Sequence, residues 1–137
     1  MSLLWPMLAQ IGWTFLLYIW LTIARQRAVK AGEVKYGDFA RHQEPHHVAR
    51  IAYNLSNQFE LPVIFYAAVV LLLATDNVTG IDLIAAWVFV AGRVLHTLVQ
   101  CLTDNVPLRG QVFVINFAGA AVLVGHLALL AFEGLGR

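Results

Sequence analysis

Hydrophobic positions gather into four long runs, at residues 3–24, 45–74, 80–102 and 111–132, with most polar positions between them. At 1.5 Å per residue the first run reaches about 33 Å, enough to cross a hydrocarbon core of ~30 Å. Trp5 and Trp20 stand near its ends, where interfacial aromatics collect. The second run opens on Pro45, a favourable first-turn residue. Spans of this length with such short connections leave no room for a closed barrel, so only helices fit. The connections at 75–79 and 103–110 predict antiparallel hairpins, the second with Pro107 and Gly110 as breakers. The pattern therefore predicts an all-α, up-down-up-down bundle of four transmembrane helices, one membrane domain over residues 1–137.

Composition agrees. Hydrophobic residues make up 60% of the 137 and charged residues 12%, against about 45–50% and ~25% in an ordinary soluble domain. Mean hydropathy is +0.71. A soluble chain this small could not hide so much apolar surface. The net charge of +1, with no long basic tract, argues against a nucleic-acid partner. The one cysteine, Cys101, cannot form an internal disulfide. The first run lacks a basic flank and exceeds the length of a signal-peptide core, so it reads as a retained helix.

Basic residues set the expected orientation. The connection at 25–44 holds Arg25, Arg27, Lys30, Lys35 and Arg41, and the third connection holds Arg109. The second has none, and the tails contribute only Arg137. The positive-inside rule then puts connections one and three in the cytoplasm and both termini outside.

The second run is too long, at about 45 Å, and too polar at its start to be a plain anchor. Arg50, Tyr53, Asn54, Asn57 and Glu60 share one helical face. Arg93, His96, Thr97 and Gln100 repeat the pattern in the third run at i, i+3, i+4, i+7. Counted from the tight hairpin, Glu60 lies about 22 Å deep and Arg93 about 20 Å, so the two faces are in register. Pro62 removes the backbone bond to Gln58 and can open the helix where the stripe ends. Two readings stand. A Glu60–Arg93 ion pair could fix the packing, with Asn54, Asn57 and Gln100 as interhelical glue. Nine polar side chains over two faces point instead to a hydrated cavity in the inner half of the bilayer.

His126, Asn116 and Gln10 read as packed or interhelical hydrogen-bonding residues, and Ala118-Gly119-Ala120-Ala121 as a close helix contact. His42, Glu44, His46 and His47 form the one metal-like cluster, with the donors that Zn²⁺ prefers. It lacks the H-E-x-x-H spacing, and Pro45 disfavours a continuous helix through it. Arg25, Arg27 and Arg109 flank the cytoplasmic mouth, as topology determinants or as an anion clamp.

Asn57-x-x-Glu60 followed by Pro62, then Arg93-Val-Leu-His96-Thr97, then Asn105 with Arg109, together with the Ala24-Arg25 junction, resemble the MAPEG family. These are the membrane-associated proteins in eicosanoid and glutathione metabolism. The resemblance covers essentially the whole chain and is closest to the bacterial branch, implying a bacterial inner membrane with periplasmic termini. It implies a homotrimer with glutathione bound between protomers near the cytoplasmic face, beneath a groove open to lipid. It carries glutathione contacts onto Asn57 and Glu60, an anchoring arginine onto Arg25, and the thiol-activating arginine onto Arg109. Arg50, Tyr53, Asn54, Arg93, His96 and Gln100 complete the implied pocket. Tyr53 stands where eicosanoid-type members carry arginine, and His96 and Gln100 stand where they carry tyrosines. The implied function is that of a glutathione-dependent transferase or peroxidase acting on a small hydrophobic electrophile dissolved in membrane lipid. A non-catalytic lipid-binding or scaffold protein, and a metal-dependent membrane hydrolase or peptidase built on the histidine cluster, are the alternatives.

Overall fold

A computed structural model of the chain describes residues 2–135; Arg137 lies outside them. Its helices are α1 (Leu4–Lys30), α2 (Tyr36–Phe39), α3 (His46–Ser56), α4 (Leu61–Thr75), α5 (Gly80–Leu102) and α6 (Val106–Leu135). Four lengths are long and apolar enough to cross a membrane: Leu4–Lys30, His46–Thr75, Gly80–Leu102 and Val106–Gly134. The chain is a four-helix membrane bundle.

Two helices are longer than their apolar runs. α1 continues past residue 24 because Arg25-Gln-Arg-Ala-Val-Lys30 are mostly good helix formers that need no lipid. It stops at Gly32, whose φ of +75° closes the end. The Glu33 N–H returns to the Ala28 carbonyl at 3.0 Å and the Gly32 N–H to Val29 at 3.0 Å, a Schellman ending. α6 begins at Val106, not near 111, so Pro107 and Gly110 do not break it. Proline is tolerated in a first turn, where its missing N–H has no intrahelical partner. The Asn105 side-chain oxygen caps that turn, accepting from the Leu108 N–H at 2.9 Å.

The second span is not one helix. α3 ends at Ser56, a 3₁₀ turn covers Asn57–Phe59, and α4 restarts at Leu61 with Pro62 in its first turn. Glu60, at φ −105° and ψ −104°, is the joint. Pro62 has no N–H to give the Gln58 carbonyl and its ring would strike that carbonyl, so the helix is interrupted one turn earlier.

α5 is the central helix, packed on α6, α1 and α3, while α4 lies against α6. Its contact with α6 is backbone-close. A Cβ on Gly92 would come 2.8 Å from the Asn116 nitrogen, and one on Gly119 would come 2.6 Å from the Ala85 carbonyl. The small-residue run in α6 is thus a helix–helix seam. Two apolar clusters fill the bundle. One, near the α4–α5 turn, holds Phe65, Val69, Leu72, Phe89 and Leu123, with Phe65 and Phe89 stacked at 4.1 Å. The other, near the linker after α1, holds Leu17, Leu21, Val48, Ile51 and Cys101. The polar stripe lies between them.

Candidate functional site

Breaking the second span frees a carbonyl. In a continuous helix the Asn57 oxygen would accept from Leu61; here Arg93 Nη2 donates to it at 3.0 Å. Arg93 is 1% exposed. A buried guanidinium needs acceptors, and this one comes from the helix that Pro62 interrupts.

Around that bond runs a continuous network across α1, α3 and α5. Thr97 Oγ1 donates to Asn54 Oδ1 at 2.8 Å, and Gln58 Nε2 donates to the same oxygen at 3.2 Å. Asn54 Nδ2 donates to Gln100 Oε1 at 2.9 Å, and Asn57 Nδ2 shares that acceptor at 3.2 Å. Gln10 Nε2 reaches Gln58 Oε1 at 3.0 Å, and Trp13 Nε1 reaches Thr97 Oγ1 at 3.2 Å. The register of the two polar faces is therefore real. The glue reading describes Asn54 well, since it is fully buried with its amide committed on both sides.

The Glu60–Arg93 ion pair does not form among the described residues: Glu60 is exposed at the bend, and Arg93 takes a backbone acceptor instead. Both residues nevertheless line one cavity of about 360 Å³, with Asn57, His96, Ile64 and Phe113. Arg93 Nε and His96 Nδ1 have no hydrogen-bond partner there, although both are buried. Unmet polar atoms in a membrane interior are costly, which favours water or a polar guest beside them.

Two further cavities open toward the same end of the bundle. One of about 190 Å³ is lined by Arg50, Tyr53, Gln100, Asp104 and Arg109. The other, of about 400 Å³, lies between α1 and α3, lined by Tyr18, Arg25, Glu44, Tyr53 and Phe59. Tyr53, exposed, lines both. The candidate residues thus share one end of the molecule but not one chamber.

Two of the arginines are already engaged. Arg25 bonds Glu44 and lies 5.0 Å over the Phe39 ring, which ties the linker to α1. Arg50 bonds Asp104 and donates to the Thr103 carbonyl at 2.6 Å. Arg109 and Glu60 have no ion-pair partner among the described residues.

The histidine cluster does not assemble into a metal site. Among the described residues no three His, Cys, Asp or Glu side chains come together to hold an ion. Pro45, extended at ψ 146°, caps α3 and separates the two halves of the motif. Glu44 turns to Arg25, His47 Nε2 stands 3.8 Å from Glu33, and His46 faces the Arg50 cavity.

Three features escaped the sequence reading: Asp104 as the partner of Arg50, Phe113 as a wall of the Arg93 cavity, and Asp82. Asp82 is buried near the opposite end of the bundle and accepts from Thr79 Oγ1 at 2.7 Å. It also meets His126 Nδ1 at 2.9 Å, so His126 is the interhelical link its isolation in an apolar run predicts. Thr79-Gly-Ile-Asp82 has the spacing of a capping box, a signal that could have marked Asp82 as structural.

The profile of the MAPEG family matches residues 3–129. No curated protein and no solved structure matches.

Proposed function

Because the chain belongs to the MAPEG family, we propose that it is a glutathione-dependent transferase or peroxidase acting on hydrophobic electrophiles dissolved in the membrane. Family membership supports a membrane protein of glutathione or eicosanoid metabolism in general terms. The observation that carries the finer reading is the one-ended convergence of polar groups. Arg109, Arg50 and Tyr53 line one cavity, and Asn57, Glu60, Arg93 and His96 line the next.

Glutathione is a substrate with two carboxylates, one ammonium and a thiol, and these groups match the ones available. Glu60, exposed and without an ion-pair partner among the described residues, suits the ammonium. Arg50 keeps donors beyond those used on Thr103 and Asp104, because a guanidinium carries five N–H groups. Arg25, held by Glu44 on the far side of α3, suits a carboxylate bound against a neighbouring protomer in a homotrimer. Asn57 and Gln100 present amides at the boundary between the two cavities, and Asn54 positions Gln100 from behind.

Arg109 is the proposed catalytic residue. A free thiol has a pKa near 8.5 and is mostly protonated at pH 7. A guanidinium beside the sulfur favours the thiolate, which is the nucleophile. Arg109 is half-buried on the first turn of α6 and has no ion-pair partner among the described residues, so its charge is available for that task. The hydrophobic partner arrives by partition into the lipid, which raises its local concentration without a dedicated aqueous channel.

The test is conjugation of glutathione to a hydrophobic aryl halide by purified protein in detergent. Arg109→Ala should lower the rate by roughly tenfold to a hundredfold, in the range of a lost electrostatic stabiliser. Arg109→Lys should retain part of it. A rate unchanged in Arg109→Ala would remove the catalytic assignment. No turnover by the unaltered protein, with a lipid co-purifying instead, would favour the non-catalytic lipid-binding reading.

A further inference from the structure

The cavity between α3, α5 and the start of α6 holds two arginines, and only one of them is neutralised. Arg50 and Arg109 approach it from different helices, with His46 and Tyr53 beside them. Asp104 is the one carboxylate in its lining. Its side chain is 83% exposed, whereas that of Arg50 is 18% exposed. The guanidinium is therefore fixed within the wall, while its counter-ion hangs in solvent on the short connection between α5 and α6. Arg50 does not depend on Asp104 for its position, because its Nη2 also donates to the Thr103 carbonyl at 2.6 Å. That backbone acceptor at the end of α5 stays wherever the carboxylate goes.

An ion pair this exposed on one side is held weakly and is readily exchanged. A second carboxylate entering the cavity would gain both Arg50 and Arg109, which a single aspartate on a three-residue connection does not engage together. We propose that Asp104 is a resident counter-ion for Arg50 that an incoming carboxylate ligand must displace, so that it sets the affinity and the salt dependence of anion binding in this cavity. The ligand chemistry is a carboxylate, and for the glutathione-binding reading on which this rests, it is one of the carboxylates of that peptide.

A neutral amide at position 104 removes the competitor and leaves the Arg50–Thr103 bond in place. Isothermal titration of the full chain in detergent, with glutathione and separately with citrate, reads the effect. Asp104→Asn should bind roughly two- to fivefold tighter than the unaltered protein, the scale of a lost exposed pair. Asp104→Glu should keep the weaker affinity, and the difference between Asp104→Asn and the unaltered protein should shrink in high salt. A merely structural aspartate would instead lower the melting temperature on substitution and leave affinity equal or reduced; that result would overturn the proposal, as would equal affinity at unchanged stability. Should Asp104→Asn fail to fold, Asp104→Ser provides the same loss of charge. If citrate binding tightens while glutathione binds to neither protein, the glutathione reading falls and the counter-ion role stands. If neither anion binds to either protein, both fall.

Discussion

At the scale of single residues, the polar stripe divides into groups that hold the bundle and groups that remain available. Asn54 belongs to the first kind. Its oxygen takes Thr97 and Gln58, and its nitrogen serves Gln100. Replacing it by leucine removes three buried hydrogen bonds at once, although Gln58 keeps the residue 54 backbone carbonyl and Gln100 keeps Asn57, so Asn54→Leu should destabilise the protein by roughly 1–2 kcal/mol in a detergent unfolding titration. Glu60 belongs to the second kind. Glu60→Gln should leave the melting temperature nearly unchanged while weakening glutathione binding severalfold, as expected for a charge that meets a ligand and not a neighbour. An equal loss of stability in the two variants would contradict this division.

At the scale of elements, the break in the second span links sequence to site most directly. Pro62 interrupts the helix one turn before itself, and the Asn57 carbonyl released by that interruption becomes the acceptor for Arg93. Pro62→Ala permits a continuous helix, which would return that carbonyl to Leu61 and leave Arg93 without its partner. Glutathione affinity should fall severalfold, and hydrogen exchange at residues 57–61 should slow. Faster or unchanged exchange there would show that proline does not cause the interruption. The α5–α6 seam gives a second test. Gly119→Ala drives a Cβ to 2.6 Å from the Ala85 carbonyl and 2.8 Å from the Phe89 nitrogen. It should cost about 1–3 kcal/mol. Gly125→Ala, with open space around it, should be neutral or mildly stabilising.

Much of this was legible from the sequence because lipid imposes a simple rule: apolar runs of bilayer length become helices. The four spans, the short connection between the second and third, the shared depth of the two polar faces, and the close packing around Gly119 all follow from the sequence pattern alone. The start of α6 did not, because Pro107 reads the same whether it ends a loop or occupies a first turn; only the cap from Asn105 distinguishes the two. Nor did the missing bond between Glu60 and Arg93. Helical periodicity brings Glu60 to the side of Arg93, and the two do line one cavity, but the interruption at Glu60 offers Arg93 the Asn57 carbonyl instead. Ion pairs such as Arg50 with Asp104 join residues 54 positions apart, and no local pattern announces them.

On the scale of the whole molecule, the protein is a four-helix membrane bundle of the MAPEG family. It has an apolar exterior, two apolar clusters inside, and a polar layer between them. Phe15, Phe132 and Ile81, all strongly exposed in the single chain, suit contact with lipid. The glutathione reading requires Arg25 and Arg109 to act on one ligand, although in one chain they line different cavities. A homotrimer resolves this if the α1–α3 groove of one protomer abuts the α5–α6 end of the next. Native mass spectrometry from mild detergent should therefore show a trimer, and Arg25→Ala should weaken glutathione binding without altering the trimer's mass. A stable monomer with full affinity would exclude a shared site.

Binding itself separates a solvent-filled site for a charged peptide at the end of the polar layer from sealed packing. Calorimetric titration of glutathione into the purified protein tests it most directly. Such a site gives saturable binding with a dissociation constant of about 1 mM or tighter, equivalent to about 4 kcal/mol, and at least several times weaker in Arg109→Ala. No saturable heat in the millimolar range, or identical binding by Arg109→Ala, would contradict it.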